Sequence, residues 1–415
     1  MSIKIIYYFE SVEIGGDSKY LYELMNNMSL RGYDIKCFCN SVVAEHLRQN
    51  VISKITITII KTRHTGFHNI NSDRTDVVSR KFIALLRKID RFFVPIVKLF
   101  NVAINTLTIY RFFNKETFNT LHINNGGYPA AEGCLAAVFA GRLAGVRRII
   151  MAVHSQARDR YVSISFVENF LDKLVVKNLD AVIVATESVK ASLCSKRSFP
   201  WALIKTIRNG VTFPSFNVPG ISVRQEFGVP IDMKIIVMSA RFDGTKGQEY
   251  LVEALSLLKE NNLNFKCFFL GGGLFLESVV LRSKQLGIHD HTVFTGYRKD
   301  VLRFLQCSDM LVQPSIAYEN SPYSVLEAMA CALPVVGTSV GGIPELIEDG
   351  KTGFIVPPRD PKALYNAIRA LIDNDTLSKN MGLSGRQRVM EKFNMADFIT
   401  KTQSIYFGEN SSCPK

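Results

Sequence analysis

Short runs of β-branched and aromatic residues alternate with longer stretches of helical period along the whole chain. In the front half the runs are IKIIYYF (3–9), YDIKCFC (33–39), ITITII (55–60), TLHIN (120–124), RRIIMAV (147–153) and DAVIVA (180–185). In the rear half they are KIIVMSA (234–240), FKCFFLG (265–271), TVFTG (292–296), DMLVQPS (309–315), LPVVGT (333–338) and GFIV (353–356). Such continuous apolar runs suit strands buried on both faces. Stretches 19–30, 130–143, 248–261 and 274–286 read as helices between them, and 377–407 reads as a closing helical stretch. Strand–helix alternation predicts parallel sheets covered by helices on both sides. Two such sets predict an α/β chain of two doubly wound, Rossmann-like domains facing across a cleft. The join is expected between Ile207 and Met233, where RNGVTFPSFNVPG is rich in Pro, Gly and Asn. The length of 415 residues agrees, being too great for one core.

In doubly wound sheets ligands bind beyond the carboxyl ends of the strands. Polar and glycine residues gather there. Gly15 and Gly16 open a helix after the first strand, His154 ends RRIIMAV, and Asn209-Gly210 precedes the join. Arg241 and Lys246 follow KIIVMSA in ARFDGTKGQ, and three glycines, 271–273, follow FKCFFL. Two cations five apart between a strand and a helix, with glycines among them, suit a diphosphate: positive charge at two oxygens, and backbone N–H groups at a helix start.

The stretch SIAYENSPYSVLEAMACALPVVGTSVGGIPELIEDGKTGF (315–354) places Glu319 in a loop and Glu327 eight residues on. Pro322 suits a first helical turn, so Glu327 falls inside the helix, among Val325, Leu326, Ala328 and Met329. Backbone N–H groups near Ser321, Tyr323, Ser324 and Val325 would form an exposed first turn able to take negative charge. A carboxylate in the helix can accept ribose hydroxyls, and one in the loop can accept those of a hexose. His154, taken alone, is as well read as a half-buried structural residue, since no nucleophile or acid adjoins it.

Charge adds a partner. Residues 1–205 hold 28 Lys and Arg against 16 Asp and Glu, nearly all of the formal +13. The front domain is therefore expected to meet an anionic partner. Around 79–115, Arg80, Lys81, Arg87, Lys88, Arg91 and Lys98 recur at nearly helical spacing among Phe and Leu. Lys81, Arg87, Lys88 and Arg91 define a basic patch for peripheral contact with a membrane or an acceptor. A spanning helix fits less well, because Pro95, Lys98, Asn101 and Asn105 interrupt the most apolar window; a pair of helices packed on the first sheet is the other reading. The eight cysteines form no C-x-x-C pair or zinc spacing and read as free thiols of a reducing, cytoplasmic compartment.

Taken together, GG at 15–16, VHS (153–155), DAVIVATESVK, IRNGV, ARFDGTKGQEYLVEAL, LGGG, VFTGYRKDVLRFLQCSDMLVQPS and ENSPYSVLEAMACALPVVGTSVGGIPELIEDGKTGFIV resemble, in order and over essentially the whole chain, the family 4 glycosyltransferases, retaining enzymes of the GT-B fold. The resemblance implies an acceptor-binding domain at 1–207, a nucleotide-sugar domain at 208–385, and a helical segment at 386–415 returning to the front domain. Arg241 and Lys246 would hold the donor diphosphate, Glu327 the ribose and Glu319 the transferred sugar. Gly15 and Gly16 would let the first loop approach the donor, and His154 would touch the sugar. Asn209, Tyr297, Arg298, Ser324 and Val325 complete the donor-binding set. The family uses no metal or cofactor besides the nucleoside-diphosphate sugar. The expected partners are that donor, a saccharide or lipid-linked acceptor and the cytoplasmic face of a membrane. Ala332 stands where the family often has glycine, and Thr212 where Asp is common.

The expected reaction is transfer of a sugar to a hydroxyl in cell-surface polysaccharide synthesis. The alternatives are another enzyme on the same fold, such as a nucleotide-sugar epimerase, or a non-catalytic nucleotide-sugar binder. A nucleotide-dependent oxidoreductase is disfavoured because GGDSKY and GGGLFL lack the third glycine of G-x-G-x-x-G. A nucleic-acid partner is disfavoured because no binding module appears.

Overall fold

A computed structural model describes residues 3–11, 14–51, 55–64, 96–129, 131–160, 165–213 and 222–408. The basic patch at Lys81, Arg87, Lys88 and Arg91 lies outside them. The chain divides into two compact units, Met1–Ile207 with Ile399–Lys415, and Arg208–Phe398.

The first unit runs β1 (Lys4–Phe9), α1 (Gly16–Leu30), β2 (Asp34–Cys39), α2 (Ser41–Asn50), β3 (Thr56–Ile59), α3 (Ile96–Phe113), β4 (Thr120–Asn125), α4 (Glu132–Leu143), β5 (Arg148–Val153), α5 (Ser165–Asn178), β6 (Ala181–Val184), α6 (Glu187–Arg197) and β7 (Ile204–Thr206). Its sheet is parallel, ordered β3-β2-β1-β4-β5-β6-β7. All six front-half runs are strands; β7, three residues long, is the one with no apolar run to announce it.

The second unit runs α7 (Val223–Glu226), β8 (Lys234–Ser239), α8 (Gln248–Glu260), β9 (Phe265–Leu270), α9 (Leu276–Gln285), β10 (Thr292–Gly296), α10 (Val301–Gln306), β11 (Met310–Gln313), α11 (Tyr323–Ala330), β12 (Val335–Thr338), α12 (Ile343–Leu346), β13 (Gly353–Val356), α13 (Pro361–Asp373), α14 (Asp375–Lys392) and the start of α15 (Met395–Phe407), which from Ile399 on belongs to the first unit. Its parallel sheet is ordered β10-β9-β8-β11-β12-β13. In both sheets the strand order reverses once, between β1 and β4 and between β8 and β11. At such a reversal the loops leaving adjacent strands diverge to opposite faces and open a crevice.

Each sheet is buried on both sides. Ile236, Met238, Cys267, Phe269, Val312 and Val336 pack under α8 and α13, while Ile235, Val237, Phe268, Leu311 and Val335 pack under α11 and its neighbours. Removing such side chains from water contributes about 1.5–3 kcal/mol each, enough to hold the strand ends rigid beneath the loops. α14 lies along α11, with Arg386 donating to the Ala330 carbonyl (3.1 Å), so residues 386–398 belong with the second unit.

α3 has the length and apolar content to cross a membrane, yet one face of it is core. Val102, Ile109 and Phe113 are buried in the first unit. Its polar residues have partners there: Asn101 donates to Glu132 (3.1 Å), Asn105 clasps both backbone groups of Arg63, and Lys98 pairs with Glu168 of α5 (3.0 Å). Ile96, Phe100 and Leu107 remain exposed on α3, as do Phe166 and Phe170 on α5.

α11 ends in a turn whose hydrogen bonds, Ala332 N–H to Met329 and Leu333 N–H to Ala328, wrap the chain back over the helix. That turn puts Ala332 at φ 60°, the left-handed region where Cβ crowds the next carbonyl. Ala332→Gly should therefore raise stability by about 1 kcal/mol, read as a higher denaturant midpoint at unchanged slope. A midpoint that stays put or falls would show that the backbone is unstrained there.

Candidate active site

In the second unit the reversal lies between β8 and β11, and the loops leaving both strands meet there. Lys246, after β8, forms a 2.6 Å ion pair with Glu319 Oε1, after β11. The same oxygen accepts from Ser315 Oγ (2.7 Å) and Gln313 Nε2 (3.3 Å). Gln313 is held in turn by Ser324 Oγ, which donates to its Oε1 (3.0 Å). One carboxylate oxygen thus takes three donors, while Oε2 makes no hydrogen bond with the described residues. A buried pair of this kind repays its desolvation only when further hydrogen bonds complete it, as Ser315 and Gln313 do.

The loops are locked by close backbone approach. Ile316 N–H donates to the Thr245 carbonyl (2.8 Å), joining them directly. Gly247, at φ 73°, leaves no room for a side chain: a Cβ would stand 2.0 Å from the Pro314 carbonyl oxygen. Gly341, at φ 57°, is pressed equally against the Glu319 carbonyl oxygen, also 2.0 Å from a would-be Cβ. The glycine pair of SVGGIPELI is thus there to let β12's exit loop grip the backbone of Glu319.

α11 begins at Tyr323 with Pro322 at its cap, one residue later than the sequence suggests, and no side chain caps it. The Val325 N–H is taken by the Pro322 carbonyl (3.1 Å) and does not offer itself to an anion. Beside this turn Asn209 donates to the Ser321 carbonyl (3.3 Å). Asn209 Oδ1 and Ser321 Oγ are both buried with no hydrogen-bond partner. Burying such groups unpaired costs about 1–3 kcal/mol each. Glu327 is 9% exposed on α11, not a solvated surface residue.

Other expected residues have partners of their own. Arg241 pairs with Asp243 (3.2 Å) and keeps 44% of its side chain exposed, and its carbonyl is held by Gln248 (2.7 Å). Tyr297 is 64% exposed. Arg298 is engaged by Asp300 through two nitrogens (2.8 and 2.7 Å) and lies over the Phe304 ring. Among the described residues no group of three or more His, Cys, Asp or Glu is assembled as a metal site would require.

In the first unit the reversal lies between β1 and β4. Gly15 caps α1, its carbonyl accepting from Ser18 (3.1 Å) and Lys19 (3.3 Å), and Gly16 is exposed. His154 directly follows β5, its backbone N–H on the Asn125 carbonyl (3.1 Å). Its Nε2 meets Asn124 Oδ1 at 2.7 Å, and its ring stands edge-on to Tyr20, 4.4 Å between centroids. Burial pushes its pKa down to about 3. His122, wholly buried on β4, is pushed to about 3 by burial and, less, by His154; its Nδ1 meets Tyr406 Oη of α15 at 2.7 Å. Asn124, Gln313 and Ser315 escape a reading of the sequence. Their signal was their place, polar residues at strand ends in TLHINNGG and LVQPS.

Two doubly wound parallel units, each with its polar cluster at the point of reversal, are the GT-B class of fold. Solved structures that share it include a glycosyltransferase from Rickettsia africae (19% identity, TM-score 0.76, 99% of this chain and 100% of that one) and Anabaena HepE in complex with UDP-glucose (18%, 0.71, 97% and 98%). Two family models match in tandem, Glycosyltransferase Family 4 over residues 14–213 and Glycosyl transferases group 1 over residues 222–388. The chain belongs to the family 4 glycosyltransferases. Relatives include N-acetyl-alpha-D-glucosaminyl L-malate synthase of Bacillus anthracis, 29% identical over 45% of this chain and 48% of that protein. Another is UDP-Gal:alpha-D-GlcNAc-diphosphoundecaprenol alpha-1,3-galactosyltransferase of Escherichia coli, 25% identical over 76% and 83%. The chain spans about half the length of the first of these relatives.

The two depressed histidines make the first unit acid-sensitive. An unfolded histidine binds its proton near pH 6.5, so below that pH protons favour the unfolded chain. Stability present above about pH 6.5 should be lost as pH falls toward 3, by up to about 1.4 kcal/mol per pH unit for each histidine. Denaturant titrations at pH 7, 6 and 5 measure this; equal midpoints at all three would mean that neither imidazole is held neutral by the fold.

Proposed function

We propose that the protein is a retaining glycosyltransferase that moves a sugar from a nucleoside-diphosphate donor to a hydroxyl of a saccharide or lipid-linked saccharide. The observation that carries this is the cluster at β8 and β11: Lys246 on Glu319, with Asn209 Oδ1 and Ser321 Oγ buried and unpaired beside an uncapped helix start. Unsatisfied polar groups around a fixed cation suit an anionic, hydroxyl-rich ligand. Lys246 and Arg241 bind the diphosphate, Glu319 Oε2 a sugar hydroxyl, Glu327 the ribose. Ser324 and Asn209 line the phosphate end, and Tyr297 and Arg298 the base. Gly15, Gly16 and His154 serve the transferred sugar.

In the reaction the bond from the anomeric carbon to the phosphate oxygen breaks, and its electron pair leaves with the diphosphate. The acceptor oxygen forms its bond on the same face, and its proton passes to the departing phosphate oxygen. Configuration is retained without a covalent enzyme intermediate. No metal takes part, so Lys246 and Arg241 neutralise the charge as it develops. Lys246→Ala should cut kcat about 10²–10³-fold, the usual cost of losing one such stabilising group, with acceptor KM little changed. A thermal-shift panel of nucleoside-diphosphate sugars identifies the donor first. Turnover by the variant at the native rate would remove the diphosphate role.

The acceptor side works at the cytoplasmic face of a membrane. The E. coli relative is named for a diphosphoundecaprenol acceptor. Supporting this are the basic front half and the exposed Ile96, Phe100, Phe166 and Phe170 of α3 and α5, which Lys98 and Glu168 tie together. In flotation with anionic vesicles, wild type should rise with the lipid, and a variant neutralised at Lys81, Arg87, Lys88 and Arg91 should stay behind. Equal flotation of the two would count against the patch.

A further inference from the structure

We propose that Asn124 is a positioning residue that sets His154 as a pure hydrogen-bond acceptor, so that the enzyme selects a transferred sugar carrying a hydroxyl where His154 meets it. The inference deepens the function proposed above and rests on it for the identity of the ligand.

The argument starts from the Asn124 amide. Its Nδ2 donates to the Asp17 carbonyl at 3.1 Å. A carbonyl oxygen only accepts, so the amide nitrogen has to lie on that side and Oδ1 on the other. Oδ1 in turn only accepts, and it stands 2.7 Å from His154 Nε2. Nε2 therefore carries the proton. Burial keeps the ring neutral, its pKa about 3, so Nδ1 holds a lone pair and no proton. Nδ1 makes no hydrogen bond with the described residues and is not among the buried unpaired atoms. Tyr20 against the ring fixes the plane in which that lone pair points, and His122, also neutral, adds no charge nearby.

A neutral imidazole held this way can take a hydroxyl proton in a hydrogen bond and can give none. A sugar lacking that hydroxyl leaves Nδ1 unpaired. A fluorine in its place is no better, since fluorine can only accept. Sites built around one such bond discriminate strongly, by orders of magnitude, against the analogue without it. Asn124 achieves this without touching the sugar.

Two measurements test it. The first needs no substrate: ¹⁵N NMR of histidine-labelled protein at pH 7 should show His154 protonated at Nε2 and bare at Nδ1. The opposite tautomer, or an imidazolium, would overturn the proposal. The second compares UDP-glucose, or whichever donor the thermal-shift panel selects, with its monodeoxy and monodeoxyfluoro analogues. At one ring position both analogues should lose about 10²-fold or more in kcat/KM. In Asn124→Asp the new carboxylate favours imidazolium, Nδ1 becomes a donor, and the fluoro analogue should recover at least tenfold relative to the deoxy one, with acceptor KM unchanged. If Asn124→Asp does not fold, Asn124→Ser, which keeps an oxygen but not the dual clamp, should show mixed tautomers by NMR. Equal rates for all analogues in wild type would sink the specificity claim. If no nucleoside-diphosphate sugar reacts at all, the proposed function fails, while the NMR result still decides the tautomer.

Discussion

The second unit is organised around a single carboxylate oxygen. Glu319 Oε1 takes a lysine, a serine and a glutamine, and these come from loops leaving β8 and β11. A carboxylate taken out of water is unstable alone, and a lysine taken out of water is unstable alone. Each is tolerable only where the other stands. The pair therefore holds the two loops in one arrangement, and the arrangement in turn requires what surrounds it. Gly247 must yield to the Pro314 carbonyl and Gly341 to that of Glu319. The rigid sheet beneath provides strand ends that do not move while these contacts are made.

The same economy governs the first unit, with neutrality in place of charge. His122 and His154 are kept uncharged by burial, and their hydrogen bonds are then directional, not Coulombic. Tyr406 of α15 reaches His122, Tyr20 faces both rings, and Asn124 holds His154. One unit thus offers fixed charge at its point of strand reversal, and the other offers oriented neutral groups.

Much of this was legible along the chain, for identifiable reasons. Parallel strands buried on both faces leave apolar runs with no alternation, so all twelve long strands could be read directly, whereas β7, Ile204–Thr206, is too short to leave a pattern. Lys246 and Glu319 were legible because charged residues among glycines at strand exits stand out from the apolar pattern. Asn124, Gln313 and Ser315 were not, because amides and hydroxyls at strand ends are ordinary in sequence and acquire meaning only from what they touch. Arg241 pairs with Asp243, its loop neighbour, a contact that only the structure shows.

The sequence by itself determined the element order, the doubly wound class and which loops carry charged and glycine residues, because periodicity and glycine placement are local properties. Tertiary structure alone decided which oxygen of Glu319 is spent and which is left, which proton His154 keeps, and that the polar side of α3 faces protein partners. Those outcomes depend on distances between residues tens of positions apart, Lys246 with Glu319, Asn124 with His154, Asn101 with Glu132, and no local pattern encodes such a distance.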